Sequence, residues 1–455
     1  RQFFGLLFPL LLFLLAACKD ETTTGVSDGP FRPVNYPEVS ETWLQENTHP
    51  LSSLDSEDYT DLQALKAVIG DARIVQIGES GHGVAEFNRV KVRLIKFLHQ
   101  EMGFDVIAFE SSIFECFHAD REAEILTPEE LMASCIYPVW HTREVLPLFQ
   151  YIKETRDESR PLTLAGFDMK PSNYQLYRGR ADFLTGVVAR LDPDLASTVE
   201  EWEETLLSAG AWSLVRSAGE SADLLGSRYA ELLTWFDRHR DDLLARYADD
   251  PEVPSVARQI VSSTLALFEY ARGGYGCQSS EARDWGMANN LTHLVRDAFP
   301  EKKIVVWAHN YHIRHNNAQT QSSSYYWKPL KPTGLFGCMT MGEPVNRRHM
   351  HREGVYSIGL YMYTGAAAWN NGDPYSIDAP AENSLEGQLV KAGHPYLFLD
   401  LSSASEDTAP NWLRSLVPAR EWGTSYLFMV PRDQYNGLLF IHKVSPPDYV
   451  HVPLP

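Results

Sequence analysis

The chain has 455 residues, a size that accommodates one large core or two lobes. With 44% hydrophobic and 22% charged residues its composition is globular, which excludes a disordered, fibrous or multi-span membrane protein. Lys and Arg total 40 against 60 Asp and Glu; a net charge of −20 repels phosphate backbones, so no nucleic acid is expected as a partner.

Arg1 precedes an apolar run from Phe3 to Ala17, about fifteen residues and short of the roughly 20 that a spanning helix needs. A positive start, an apolar middle and small residues at the end make residues 1–17 a signal peptide. Leu15-Ala16-Ala17-Cys18 resembles a bacterial lipobox, which implies lipidation of Cys18, a membrane anchor and a place in the cell envelope. Lys19-Asp20-Glu21 resembles the acidic export tag of some bacterial surface lipoproteins, which points to the outer membrane. Residues 18–37, rich in Thr, Gly, Pro and Ser, read as a flexible tether before the folded body at 38–455. Cys116, Cys135, Cys277 and Cys338 remain for disulfides, with three possible pairings, and Cys116 with Cys135 closes the shortest loop.

Arg73–Gly78 is an apolar, β-branched run that predicts a buried strand. After Glu79-Ser80-Gly81-His82-Gly83, apolar residues at Val84, Phe87, Val90, Leu94, Ile95 and Leu98 follow helical spacing until Gly103. Asp105–Glu110 is the next strand, completing a βαβ unit and so a parallel pair. The pattern recurs with a helix over about 142–154 before the strand Leu162–Asp168, and a helix over about 281–298 before Lys303–His309. Residues from about 175 to 275 read as an inserted helical lobe, and later runs at Val355–Gly359, Tyr396–Leu399, Ser425–Phe428 and Leu438–Ile441 add strands. The expected fold is α/β, a mainly parallel sheet flanked by helices with a large helical insertion.

Each main strand ends in polar residues: Glu79 and His82, Glu110, Asp168, then His309 with His312 beyond. Ligands of open parallel sheets bind at the carboxyl ends of the strands, so these side chains are expected in one crevice. Taken singly, a histidine there is more often structural and a carboxylate often caps a helix. Ser80 is a poor nucleophile candidate because His82 replaces the last Gly of a Gly-x-Ser-x-Gly elbow, and no His-Glu-x-x-His exists. What remains is an imidazole base steered by carboxylates, with backbone N–H groups at the helix following Gly83 as oxyanion donors. The same residues also suit a divalent metal that activates water, or a binding protein without turnover. Arg143 reads equally as a crevice residue or a surface ion pair, and Arg283 with Asp284 as a structural pair. Tyr325-Tyr326-Trp327 reads as core, with an apolar mouth as the alternative.

Gly78-Glu79-Ser80-Gly81-His82-Gly83, Ala108-Phe109-Glu110, Trp140-His141-Thr142-Arg143-Glu144, Gly166-Phe167-Asp168, Arg283-Asp284 with Met287-Ala288-Asn289-Asn290, and Trp307-Ala308-His309-Asn310-Tyr311-His312 together resemble the motifs of the erythromycin esterases. The resemblance spans nearly the whole body from about residue 40. It implies hydrolysis of an ester or macrolide lactone with no metal and no cofactor, and a small-molecule ester or lactone as partner. On that basis His82 is the base, Glu79 and Glu110 support it, and His309 and His312 act on the carbonyl side. Lys91 stands where that family carries an Arg nine residues after the motif His, keeping the charge and losing the bidentate fork. Lys91, Asp168, His312 and Arg143 are the expected substrate contacts.

Overall fold

A computed structural model describes residues 41–172, 179–209, 219–274, 276–323, 332–402, 404 and 409–451. The signal segment, Cys18, the tether and Tyr325-Tyr326-Trp327 lie outside the described residues.

The strands in chain order are β1 (Thr48–Pro50), β2 (Ile74–Ile77), β3 (Phe104–Ser112), β4 (Thr163–Asp168), β5 (Lys303–Trp307), β6 (Gln321–Ser323) and β7 (Pro332–Phe336). They continue as β8 (Val355–Ala368), β9 (Pro374–Ile377), β10 (Tyr396–Asp400), β11 (Val417–Glu421), β12 (Ser425–Met429) and β13 (Gly437–Val444). A nine-stranded sheet takes the order β1-β10-β13-β8-β2-β5-β3-β4, with β9 on β8. The strands from β13 to β4 pair in parallel, and β1, β10 and β9 join antiparallel. A second, four-stranded sheet has the order β11-β12-β6-β7. The strand expected at Ser425–Phe428 belongs to this smaller sheet.

Strands buried on both faces are nearly all apolar, as the fully buried β2 shows, which is why these runs announce themselves in sequence. The helix α1 (Ala85–Met102) ends at Gly103, whose φ of 74° takes the left-handed turn that glycine tolerates. Its apolar face packs into the main core with Phe104, Ile107 and Trp307. Helices at Gly179–Val188, Pro193–Ala209, Gly219–Arg238, Arg240–Arg246 and Glu252–Arg272 follow β4. They share a second apolar cluster, built from Leu184, Val199, Tyr229, Leu232, Ile260 and Phe268 among others. The helix α2 (Cys277–His293) then leads to β5, and its first residue is tied to Cys338 by a disulfide. Cys116 and Cys135 are buried thiols beside one another.

The register places the site. Ile77 pairs with Trp307, Trp307 with Phe109, and Phe109 with Gly166, one row across four parallel strands. Glu79, His309, Glu110 and Asp168 come one or two residues later and so emerge on one edge of the sheet. Gly78 is needed here because a Cβ would fall 2.0 Å from Asn310 Oδ1. That amide is engaged on both sides: Asn310 Nδ2 donates to Leu360 O and its Oδ1 accepts from Leu360 N–H.

Candidate active site

Glu79 is buried and bound on both oxygens. Oε1 receives the indole N–H of Trp140 at 2.9 Å and lies 2.5 Å from His82 Nδ1, while Oε2 receives Lys91 Nζ at 2.7 Å. Burial alone would raise the Glu79 carboxyl, but Lys91 and then His82 outweigh it and hold the pKa below the usual value. An ionised Glu79 accepts, so His82 Nδ1 carries a proton, and in the neutral ring the lone pair is on Nε2. The His82 side chain keeps 15% of its surface exposed, against 1% for Glu79. Three rings surround it edge-on or tilted: Trp140 at 5.3 Å, His309 at 5.2 Å and Trp422 at 5.2 Å between centroids.

Glu110 forms the second knot. Arg283 Nη2 donates to its Oε1 at 2.7 Å and the His309 backbone N–H donates to Oε2 at 3.0 Å. Burial opposes its charge, yet His312 and Arg283 drive its pKa well below the ordinary range. His312 Nδ1 lies 2.7 Å from Asp284 Oδ1 and Nε2 lies 3.2 Å from Glu110 Oε1. Burial works against its charge too, but Asp284 and then Glu110 lift its pKa to about 9. Arg283 Nη1 and His312 Nε2 lie 3.0 Å apart, close enough to suggest a bond to a neutral ring. The flanking carboxylates argue instead for two cations converging on the same Glu110 oxygen.

His309 is the opposite case. Its Nδ1 accepts the Tyr311 backbone N–H at 3.1 Å, which leaves the proton on Nε2. That Nε2 is buried with no hydrogen-bond partner, and the nearest carboxylate oxygen, on Glu421, is 3.8 Å away. Burial first, and then His82, press its pKa well below the usual histidine value, so the ring is a neutral donor.

The structure thus gathers Glu79, His82, Glu110, His309 and His312 on one sheet edge. Two expected substrate contacts are placed otherwise. Lys91 and Asp168 have no solvent-exposed surface. Lys91 donates to Glu79 and to Ala308 O, and lies 4.4 Å over the Trp307 ring. Asp168 accepts from Arg283 and from Tyr137 OH. Both side chains are engaged by neighbouring charged and polar groups. Arg143 forms the surface ion pair of its two readings: 71% exposed, it pairs at 2.7 Å with Asp448, while Trp140 of the same segment is the residue that turns inward. Arg283 and Asp284, expected as partners, diverge to Glu110 and His312. The first helical N–H of α1, on Ala85, is occupied by Ser445 O, so it is not an open oxyanion donor.

Several site residues carry no sequence signal. Glu421 ends β11 and is held by Arg314 Nη2; burial lifts its carboxyl to about 7 despite that cation. Trp422 follows with φ 57°, the sole non-glycine residue at positive φ among the described residues, with its N–H bonded to Ser80 O and its C=O to Tyr375 OH. Lys170, beside Asp168, has an ammonium pushed down to about 8 by burial and then by Arg283. Among the described residues no three or more His, Cys, Asp and Glu side chains form a group that would hold a metal ion. Glu79 and Glu110 direct their oxygens to cations and N–H donors instead. No helix among the described residues is long and apolar enough to cross a membrane.

The family model for erythromycin esterase matches residues 99–444, a stretch that starts after Glu79 and His82. The Bacillus subtilis (strain 168) protein named "Putative hydrolase YbfO" is 27% identical, covering 98% of both chains. Erythromycin esterase type II of Escherichia coli is 21% identical over 90% of this chain and 99% of its own. A crystal structure of a Bacillus cereus protein superposes with a TM-score of 0.76 at 18% identity, covering 90% of this chain and 98% of that one. An erythromycin esterase mutant in its open conformation gives 0.65 at 17% identity, covering 87% and 96%. Family and relatives support a hydrolase, and the chain belongs to the erythromycin esterase family.

Proposed function

We propose that this protein hydrolyses carboxylic esters or lactones without a metal or cofactor, with His82 as general base. His82 Nε2 takes a proton from water as the water oxygen attacks the carbonyl carbon. The imidazolium formed is stabilised by Glu79, and it returns the proton to the departing alkoxide as the C–O bond breaks. His309, with its unpartnered Nε2–H, donates to the oxyanion. Glu110 holds the His309 backbone, while Arg283 and His312 neutralise Glu110 and keep it from raising the barrier to a second negative charge nearby. The observation that carries this reading is the pairing of two histidines 5.2 Å apart, one bound at Nδ1 by Glu79 and one with an unpartnered Nε2.

The test is mass spectrometry of a panel of macrolides and simple esters after incubation, seeking the gain of one water. Turnover should survive a strong chelator and fall about 10²–10⁴-fold in His82→Ala, the range of a lost general base. Loss of turnover on chelation, or equal rates in wild type and variant, would sink the proposal.

We further propose that Cys18 anchors the chain to the bacterial envelope. Lipid labelling in cells expressing the full chain should be abolished by Cys18→Ala; retention of label in the variant rules this out.

A further inference from the structure

The turn joining β8 to β9 leaves a large aromatic side chain partly open to solvent. Trp369 is 40% exposed, although tryptophan is mostly covered in folded proteins. The turn itself is closed by Trp369 N–H to Asp373 O at 2.9 Å and Gly372 N–H to Trp369 O at 2.8 Å. The indole stacks on Tyr375 at 4.1 Å and 22°, and lies 5.8 Å from Trp422. Trp422 in turn meets His82 at 5.2 Å and His309 at 5.9 Å. An unbroken aromatic row therefore runs from solvent to the two histidines. Its inner member is fixed in a left-handed backbone by Ser80 and by the Tyr375 hydroxyl, the same Tyr375 that supports Trp369.

What binds such a row is set by its surroundings. Asn370, Asn371 and Asp373 are exposed on the same turn, and Asn371 Nδ2 donates to Asp373 Oδ2 at 2.6 Å. Asp373 N–H also donates to Asn371 Oδ1 at 3.1 Å, so the turn holds its own amide and carboxylate in place, and an alkyl or aromatic acyl group would use the rings alone. An anionic ligand would meet Asp373 and a chain of net charge −20. A neutral pyranose uses everything present: its axial C–H bonds lie against the electron-rich indole face, and its hydroxyls donate to and accept from amide and carboxylate.

We infer that Trp369, backed by Tyr375 and continued by Trp422, is a subsite for a pyranose ring, and that the ester cleaved at His82 is an O-acylated sugar. This rests on the ester-hydrolase reading of His82.

The test uses the full chain with mono-O-acetylated methyl glucopyranosides, ethyl acetate and phenethyl acetate. In Trp369→Ala the ratio of kcat/KM for an acetylated pyranoside to that for ethyl acetate should fall about tenfold, mostly through KM, and Trp369→Phe should recover most of it. Asp373→Ala should lower the pyranoside rate relative to phenethyl acetate. An unchanged ratio, or a wild-type preference for phenethyl acetate over every acetylated pyranoside, overturns the sugar subsite while leaving ester hydrolysis standing. Saturation-transfer NMR with the same pyranosides reads the shelf without turnover. Contact that depends on Trp369 in a protein that cleaves no ester supports the subsite and refutes the hydrolase; equal contact in wild type and Trp369→Ala refutes the subsite.

Discussion

Glu79 Oε1 and His82 Nδ1 lie 2.5 Å apart, three residues apart in a loop that leaves β2, and this one contact decides which nitrogen of His82 is left to act as the base. A carboxylate fixes the tautomer and then steadies the imidazolium; a neutral amide lacks the charge for the second. Glu79→Gln should therefore lower kcat about 10²-fold or more with KM little altered, because the loss falls on the charged transition state. Steady-state kinetics on any ester that wild type turns over checks it. A variant with raised KM and normal kcat would mean that Glu79 touches substrate.

Lys91 is the ammonium under that carboxylate, with neither group exposed beyond 1%. Burial of both charges is tolerated because each has the other, together with Ala308 O and the Trp307 face. Lys91→Met removes one charge and leaves buried Glu79 with only Trp140 N–H and His82, so unfolding free energy should drop by about 3 kcal/mol in urea titrations. Lys91→Arg keeps the charge where that family carries arginine and should cost far less. Equal destabilisation by both would show that packing volume, not charge, is what Lys91 supplies.

Much of this was legible in the chain. Parallel strands covered on both faces are continuous apolar runs, so Ile74–Ile77 and Lys303–Trp307 stand out, and the polar residues that stop them mark the sheet edge. Burial depth was not legible: nothing in the sequence shows that Lys91 and Asp168 are fully enclosed. Glu421 and Trp422 come from a hairpin of the small sheet whose approach to His82 is purely tertiary. The mutual pairing of Arg283 and Asp284 was open to objection from geometry alone, since adjacent helix positions face different directions. On α2 they reach Glu110 and His312 separately.

Glu110 and His312 contribute to opposite limbs of the stability profile. Glu110 has a folded pKa far below its ordinary 4.5, so its contribution is present above that value and is lost as pH falls toward the folded one. His312 rises from 6.5 to about 9, so its contribution is complete below pH 6.5 and disappears as pH climbs through about 9. Denaturant midpoints of wild type and His312→Gln should therefore differ most near pH 6 and converge by about pH 10. A gap that stays constant from pH 6 to pH 10 would show that His312 is neutral in the folded protein and accepts from Arg283.

Trp422 tests whether the left-handed backbone beside His82 is held against its own preference. A non-glycine residue at φ 57° costs about 1–2 kcal/mol relative to glycine, and persists only where the surroundings impose it. Here the imposing bonds are the N–H to Ser80 O at 2.6 Å and the carbonyl to Tyr375 OH at 2.9 Å, with Gly81 so close that a Cβ would lie 2.9 Å from Trp422 Cα. Trp422→Ala and Trp422→Gly both delete the ring, so their difference isolates the backbone. The glycine variant should be the more stable by about 1 kcal/mol, reversing the order expected at an ordinary β or helical position. Thermal or urea unfolding of the pair decides it, and an alanine variant at least as stable as the glycine variant would mean that the loop relaxes out of the left-handed region once the indole is gone.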